Sequence, residues 1–320
     1  MKKPFSSNYK KSPHIRKKNE DYLDLVSVVS KARHGFVGEQ SRLVSKPAKE
    51  SATQIVRQID LINNLISMPH LLLIRMEGRL DALMDGFLLA VGKDVSKRKA
   101  EERKRFEKQT RETMRVFFSM DSAMQGRLAG PWLFAIAVYT WTAFECLAGD
   151  LWANSLNQGT TALAQRVLSS LPSEADGSGL SRRQIEVGLA ARYNFDLRRS
   201  LGTILRPKFD FTSFDGIASA FEQAFGRCEA LQKREGRLKE LEQVRHLIVH
   251  RGGIVDDKFL KISKLKVRRN TALRLSVGQV RDYIISMTLA CVALRHSVDG
   301  WFTSQQGKDT PDAPSARLPQ

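Results

Sequence analysis

The chain is short of the residues that build several common kinds of site. It has three cysteines, Cys146, Cys228 and Cys291, too few and too scattered for a disulfide framework. No CxxC pair suggests a zinc site, and the expected compartment is a reducing cytoplasm. There is no glycine-rich phosphate loop and no internal repeat. The first residues lack the apolar core of a signal peptide. The longest run poor in charge, Leu128 to Ala148, approaches bilayer length. Glu145 near its end, the Thr140 and Thr142 hydroxyls and the nearby Asp150 mark it instead as a buried core helix. No membrane association is expected.

What remains is an ordinary globular chain of 320 residues, 42% apolar, with an uneven surplus of positive charge. The net charge is +18. Residues 1–20 carry seven Lys/Arg against one acid, and residues 93–115 carry ten against five. Residues 258–281 carry eight, with no acid at all. The rest of the chain is close to neutral. Cationic segments of this kind attract phosphate backbones through counterion release, and they also occur as plain solvated helix faces.

Residues 1–20 and 303–320 have the composition of disordered tails. Between them the hydrophobic period is helical. Helices are expected over Asp21–Ala32, with Gly35 and Gly38 as breakers, over a stretch ending near Met68, over Leu71–Val91, and along the charged residues 95–120. A long, buried helix is expected to start at Gly130-Pro131 and run to about Asn157. Further helices are expected at Thr161–Leu171, Arg182–Ile204, Ile217–Phe225, Cys228–Val249 and Val277–Phe302, with a loop at 173–181. The alternating pattern of Lys261–Leu275 suggests a small hairpin.

The helix before Gly252-Gly253 carries the candidate chemistry. On a wheel of ~100° per residue, Leu238, Leu241, Val244 and Ile248 form the core stripe. His246 and His250 lie near 140° and 180° from Leu241, roughly opposite it and one turn apart. Arg245 lies at the stripe's edge, with a stem long enough to carry its guanidinium around the helix. An imidazole can move a proton on or off a ribose hydroxyl near neutral pH. An arginine fork matches phosphate oxygens and can stabilise charge developing on phosphorus. Two other readings stay open. The histidine pair has the spacing of a zinc helix, but Leu247 stands where a zincin would have its Glu, and no third ligand is evident among His14, His34, His70 and His296. Alternatively, both histidines pack against the helical N-terminal half.

Arg245-His246-Leu-Ile-Val-His250, followed by Arg251-Gly-Gly-Ile-Val-Asp256, resembles the R-polar-xxx-H signature of HEPN domains. Phe259-Leu260, Leu273–Ser276, the final helix, Trp141–Leu151 and Leu201–Phe225 extend the resemblance over about residues 128–302, nearest to the RiboL-PSP type. The resemblance implies an all-α fold, a HEPN-like helical bundle at 128–302, with an additional helical N-terminal region at 21–127 whose role it does not supply. It implies a metal-independent endoribonuclease without cofactor, in which Arg245 contacts the scissile phosphate and His250 is the acid/base. His246 occupies the polar position, more often Asn or Asp in the family, and Glu145 helps to position the site. Arg251, Lys261, Lys264, Lys266, Arg268 and Arg269 are the candidate RNA-binding cations. The implied partners are RNA, a second copy in a homodimer, and an antitoxin or nucleotidyltransferase, as in toxin–antitoxin or phage-defence systems. The alternative is a non-catalytic RNA-binding or dimerisation module.

Overall fold

The computed structural model describes residues 13–66, 122–171, 185, 187–263, 265 and 267–306. The expected helix at Leu71–Val91, the basic stretch 93–115, the loop 173–181, Lys264 and Lys266 lie outside them. So do residues 1–12 of the basic N-terminal tail and 307–320 of the C-terminal tail. The described chain is all-α, with a single isolated antiparallel bridge, Ile254 to Ala272, as its only β pairing.

Helix α1 spans Pro13–Gln40, and α2 follows over 46–66. Gly35 and Gly38 do not end α1 as expected. Leu25, Val29 and Phe36 keep one buried stripe through Gly35, burying Phe36 outweighs roughly 1 kcal/mol of propensity lost at that glycine, and α1 ends at Gln40, two residues past Gly38. Asp299 Oδ1 then accepts the Val44 and Ser45 amides at 2.9 and 2.6 Å, fixing the turn into α2. On α2, Ile55, Ile59, Ile62 and Ile66 are all buried, as their spacing predicts.

The central helix α3 covers Ser122–Asn157. It starts eight residues before the expected Gly130-Pro131, and Pro131 lies inside it. A proline ring there removes one intrahelical hydrogen bond. The next residue ties this turn to α2, Trp132 Nε1 donating to the Leu65 carbonyl at 2.7 Å. Ile136, Ala137, Trp141, Phe144, Ala148 and Trp152 are fully buried. Tyr139 donates to Gln58 at 2.5 Å, and Asp150 holds both Gln54 and Arg206. Residues 25–66 therefore share one core with 133–301.

After α4, Thr161–Ser170, the helix expected at Arg182–Ile204 is broken into α5, Val187–Arg192, and α6, Leu197–Leu205. Between them Asn194 and Phe195 take left-handed backbone, φ 51° and 56°. Asp196 restarts the helix by accepting the Arg199 amide. Helix α7, Phe214–Phe225, is capped by Ser213. The expected Cys228–Val249 helix is interrupted at Lys233–Arg234, giving α8, Glu229–Gln232, and α9, Glu235–Arg251. Helices α10, Asp257–Ile262, and α11, Val277–Gln306, complete the chain. No hairpin forms within 261–275 among the described residues. Instead 253–255 pair with 270–273, Leu273 N donating to the Gly253 carbonyl at 2.8 Å and Val255 N to that of Thr271 at 3.0 Å.

Two stretches, Gly130–Asn157 and Val277–Gln305, are long and apolar enough to cross a bilayer by length and composition, and about half of each (56% and 50% of the most apolar window) is buried inside the molecule.

Candidate functional site

Helix α9 is gripped from both sides. Leu238, Leu241, Val244 and Leu247 are buried, and α9 packs on α3 and α11. Its polar residue Glu240 is buried too, accepting the Tyr283 hydroxyl at 2.8 Å and Arg237 at 3.1 Å. Burial and the adjoining Glu240 push the Tyr283 phenol far above its ordinary value. Toward the C-terminal end of this rod Glu242, Arg245 and His246 are half-buried and Val249, His250 and Arg251 are exposed.

The end of that rod is set by the glycine pair. Gly252 is left-handed at φ 58°, ψ 24°, and Gly253 follows at φ 81°. Both amides return to the Leu247 carbonyl, satisfying a carbonyl the helix would otherwise orphan. A Cβ on Gly253 would lie 3.0 Å from Phe134 Cε2, so glycine also lets this end of α9 lie against α3. Beyond it Val255 is fully buried, and Asp256 caps α10 by accepting the Phe259 amide at 2.9 Å. Each residue of the Gly-Gly-Ile-Val-Asp run thus has a local structural task.

The four candidate residues meet at this end of the bundle. The His246 and His250 rings stand 4.8 Å apart between centroids, tilted by 47°. His250 is exposed and His246 half-buried, so neither packs into the core. Burial first, then Lys258 and His250, hold His246 below its ordinary pKa. That direction favours the neutral imidazole, the form able to accept a proton. Arg245 Nε is buried without a hydrogen-bond partner, and the guanidinium stands in electrostatic contact with Glu145 on α3. Glu145 is half-buried and its Oε1 has no hydrogen-bond partner. Burial pushes its carboxyl up. The indole N–H of Trp141, one turn earlier, and Arg245 oppose that shift, whereas Glu242 and Asp210 add to it. The Trp141 indole lies near the carboxyl without reaching hydrogen-bond geometry.

Glu242 and Asp210 were not foreseen from the sequence, and neither was Lys258 as a neighbour of His246. Glu242 is one turn before His246, the same i, i+4 relation that joins the two histidines, so part of the signal was there. Its Oε2 accepts the Phe214 amide at 2.9 Å, tying α9 to the start of α7. Burial raises its carboxyl, that hydrogen bond opposes the shift, Asp215 adds to it and Lys258 opposes it. Burial would raise Asp210 as well, but Ser213 and Thr212 donate to its carboxylate and hold it low. Among the described residues no three His, Cys, Asp or Glu converge closely enough to hold a metal ion.

Of the candidate RNA-binding cations, Arg251, Lys261 and Arg268 are exposed around this end. Arg269 is exposed but paired with Asp257 at 3.1 Å, a surface pair of small energetic weight. Comparison with family models, curated proteins and solved structures gives no match to this chain.

Proposed function

We propose that the chain is a HEPN-type, metal-independent endoribonuclease. The observation that carries the reading is the pairing of an exposed and a half-buried imidazole, 4.8 Å apart, on the same short arc as Arg245 and beside cationic surface. In this reading the substrate's own ribose 2′-oxygen attacks phosphorus. The P–O5′ bond breaks, leaving a 2′,3′-cyclic phosphate and a 5′-hydroxyl. His250 is the acid/base, His246 shares the proton traffic as a neutral imidazole, and Arg245 meets the charge on the phosphorane. Glu145 orients Arg245 from α3. One Arg–His set is half of an RNA cleft, so a two-fold dimer completes it. The setting is a cytoplasmic toxin or phage-defence system, with an antitoxin or nucleotidyltransferase as partner.

A second reading, a non-catalytic RNA-binding or dimerisation module, draws on the burial of Arg245 Nε against Glu145, which commits part of the guanidinium to the fold. One experiment separates them. Single-stranded RNA and DNA are incubated with the full chain in EDTA, and the fragment ends are analysed. The enzyme reading expects RNA cut to cyclic phosphates, intact DNA, and a loss on the order of 10²–10⁴-fold in His250→Ala. A magnesium requirement, or activity that survives His250→Ala in a pure preparation, overturns it. RNA binding without cleavage selects the module.

A further inference from the structure

An open, largely apolar groove lies between α1 and α11. Val28, Ala32 and Phe36 face Ile285, Leu289 and Val292 across an open groove of about 350 Å³. That is within the range of small-molecule pockets, which are apolar with a few fixed polar groups. The polar side chains along it are Lys31, Thr288 and Glu39.

Behind the Glu39 end stands a buried cation. Arg295 is 1% exposed, and its guanidinium lies over the Phe36 ring, 5.3 Å from the centroid. Its Nε donates to the Ala48 carbonyl at 3.4 Å. Nη1 and Nη2 have no hydrogen-bond partner. The facing acid, Glu39, comes only to 3.8 Å of Nη1, too far to accept a hydrogen bond. The other neighbours do not serve. Asp299 attracts the guanidinium electrostatically but makes no hydrogen bond to Nη1 or Nη2, and burial pushes the Cys291 thiol far up. A guanidinium enclosed with most of its donors idle is costly unless an acceptor joins it.

We propose that this groove binds a small fatty carboxylate, its alkyl chain along Val28, Ala32, Ile285, Leu289 and Val292, and its carboxylate seated on Arg295 Nη1 and Nη2. Planar carboxylate and guanidinium match as a two-pronged pair. Glu39 lines the groove and stands 3.8 Å from Arg295 Nη1, so in this proposal its outward rotation opens the buried guanidinium to the groove. Its side chain is 30% exposed, so it can turn out to solvent when the ligand enters. Lys31 adds a positive charge along the groove and favours an anionic guest.

The test is calorimetric titration of the full chain with sodium decanoate, kept below its micelle concentration, and with decanol as an uncharged probe of the same length. The expected result is saturable one-to-one binding of decanoate, with decanol on the order of ten-fold weaker or more, the worth of charge-assisted hydrogen bonds. Leu289→Trp fills the groove from a partly exposed position and should abolish binding. Glu39→Gln, at the rim, removes the competing carboxylate and should tighten decanoate several-fold while leaving decanol unchanged. No saturable binding to the unaltered chain would mean that water alone occupies the space and would overturn the proposal. So would equal affinity for decanol, or affinity indifferent to both substitutions.

Discussion

Gly252 and Gly253 are both left-handed, yet the structure gives them unequal reasons to be glycine, and the inequality can be measured. An alanine at Gly252 meets no atom within 4 Å, so its cost is the left-handed backbone alone, roughly 1–2 kcal/mol. An alanine at Gly253 bears a similar backbone cost. Its Cβ also stands 3.0 Å from Phe134 Cε2 and 3.4 Å from Cζ. Phe134 is half-buried against the core, so the ring has to move or α9 has to lift from α3. Overpacking of this kind adds about 1 kcal/mol or more. Gly252→Ala should therefore lower the unfolding free energy by about 1–2 kcal/mol and Gly253→Ala by about 2–3 kcal/mol, read from urea denaturation with unchanged slope. Phe134→Leu should recover the extra cost in the Gly253→Ala background and not in the Gly252→Ala background, a coupling visible in a double-mutant cycle. Equal costs at the two glycines, or no coupling to Phe134, would refute the account of how α9 is seated on α3. The seat bears on function because His250 lies two residues before Gly252. Under the proposed ribonuclease function, RNA cleavage should fall more in Gly253→Ala than in Gly252→Ala at equal folded fraction.

Two electrostatic predictions follow from the same end of the bundle. Burial, Lys258 and His250 hold His246 below the ordinary value of 6.5, so just below that pH the unfolded chain binds a proton that the folded chain refuses. Stability contributed at neutral pH is then lost as the pH falls through this window, and His246→Gln should flatten the loss in urea curves taken on both sides of it; an unchanged pH dependence would contradict the assignment. Lys258→Glu replaces a cation facing His246 with an anion. The His246 proton signals should then titrate at higher pH in NMR, and RNA affinity should weaken with a shallower salt dependence. A midpoint that does not move would place Lys258 away from the ring.

Helix faces were legible wherever burial repeats at the helical period. Ile55, Ile59, Ile62 and Ile66, and Leu238, Leu241 and Val244, are core because no other arrangement buries them together. Punctuation was less so. Gly35 and Gly38 read as breakers and Gly130-Pro131 as a helix start, but at Gly35 a local preference of about 1 kcal/mol yields to the buried stripe of Leu25, Val29 and Phe36. The opposite error came at 193–196, where an unbroken helical pattern hides a left-handed turn. Asn194 and the capping carboxylate of Asp196 are its only markers, and the exposed Phe195 gave no warning. The alternation in 261–275 forms no hairpin among the described residues; Lys261 and Ile262 end α10, and 270–273 pair instead with 253–255 before it, which a local reading could not find.

The site divides along the same line. Arg245, His246 and His250 are neighbours on one helix, and any helix brings them to one arc. Glu145, Glu242 and Asp210 come from α3, α9 and the loop before α7, and only the packing of those elements sets their mutual repulsion. The consequence is chemical. A wheel shows Arg245 beside two histidines and implies a cation free for phosphate. The structure sets the half-buried Glu145 carboxyl against that cation, pushed toward its neutral form by burial and by Glu242 and Asp210. As Glu145 becomes neutral, its attraction for Arg245 weakens, and the guanidinium keeps more of its field for an anion arriving from solvent. Glu145 and the acids around it thus help to set how much of the Arg245 charge is available, a quantity that no spacing in the sequence contains.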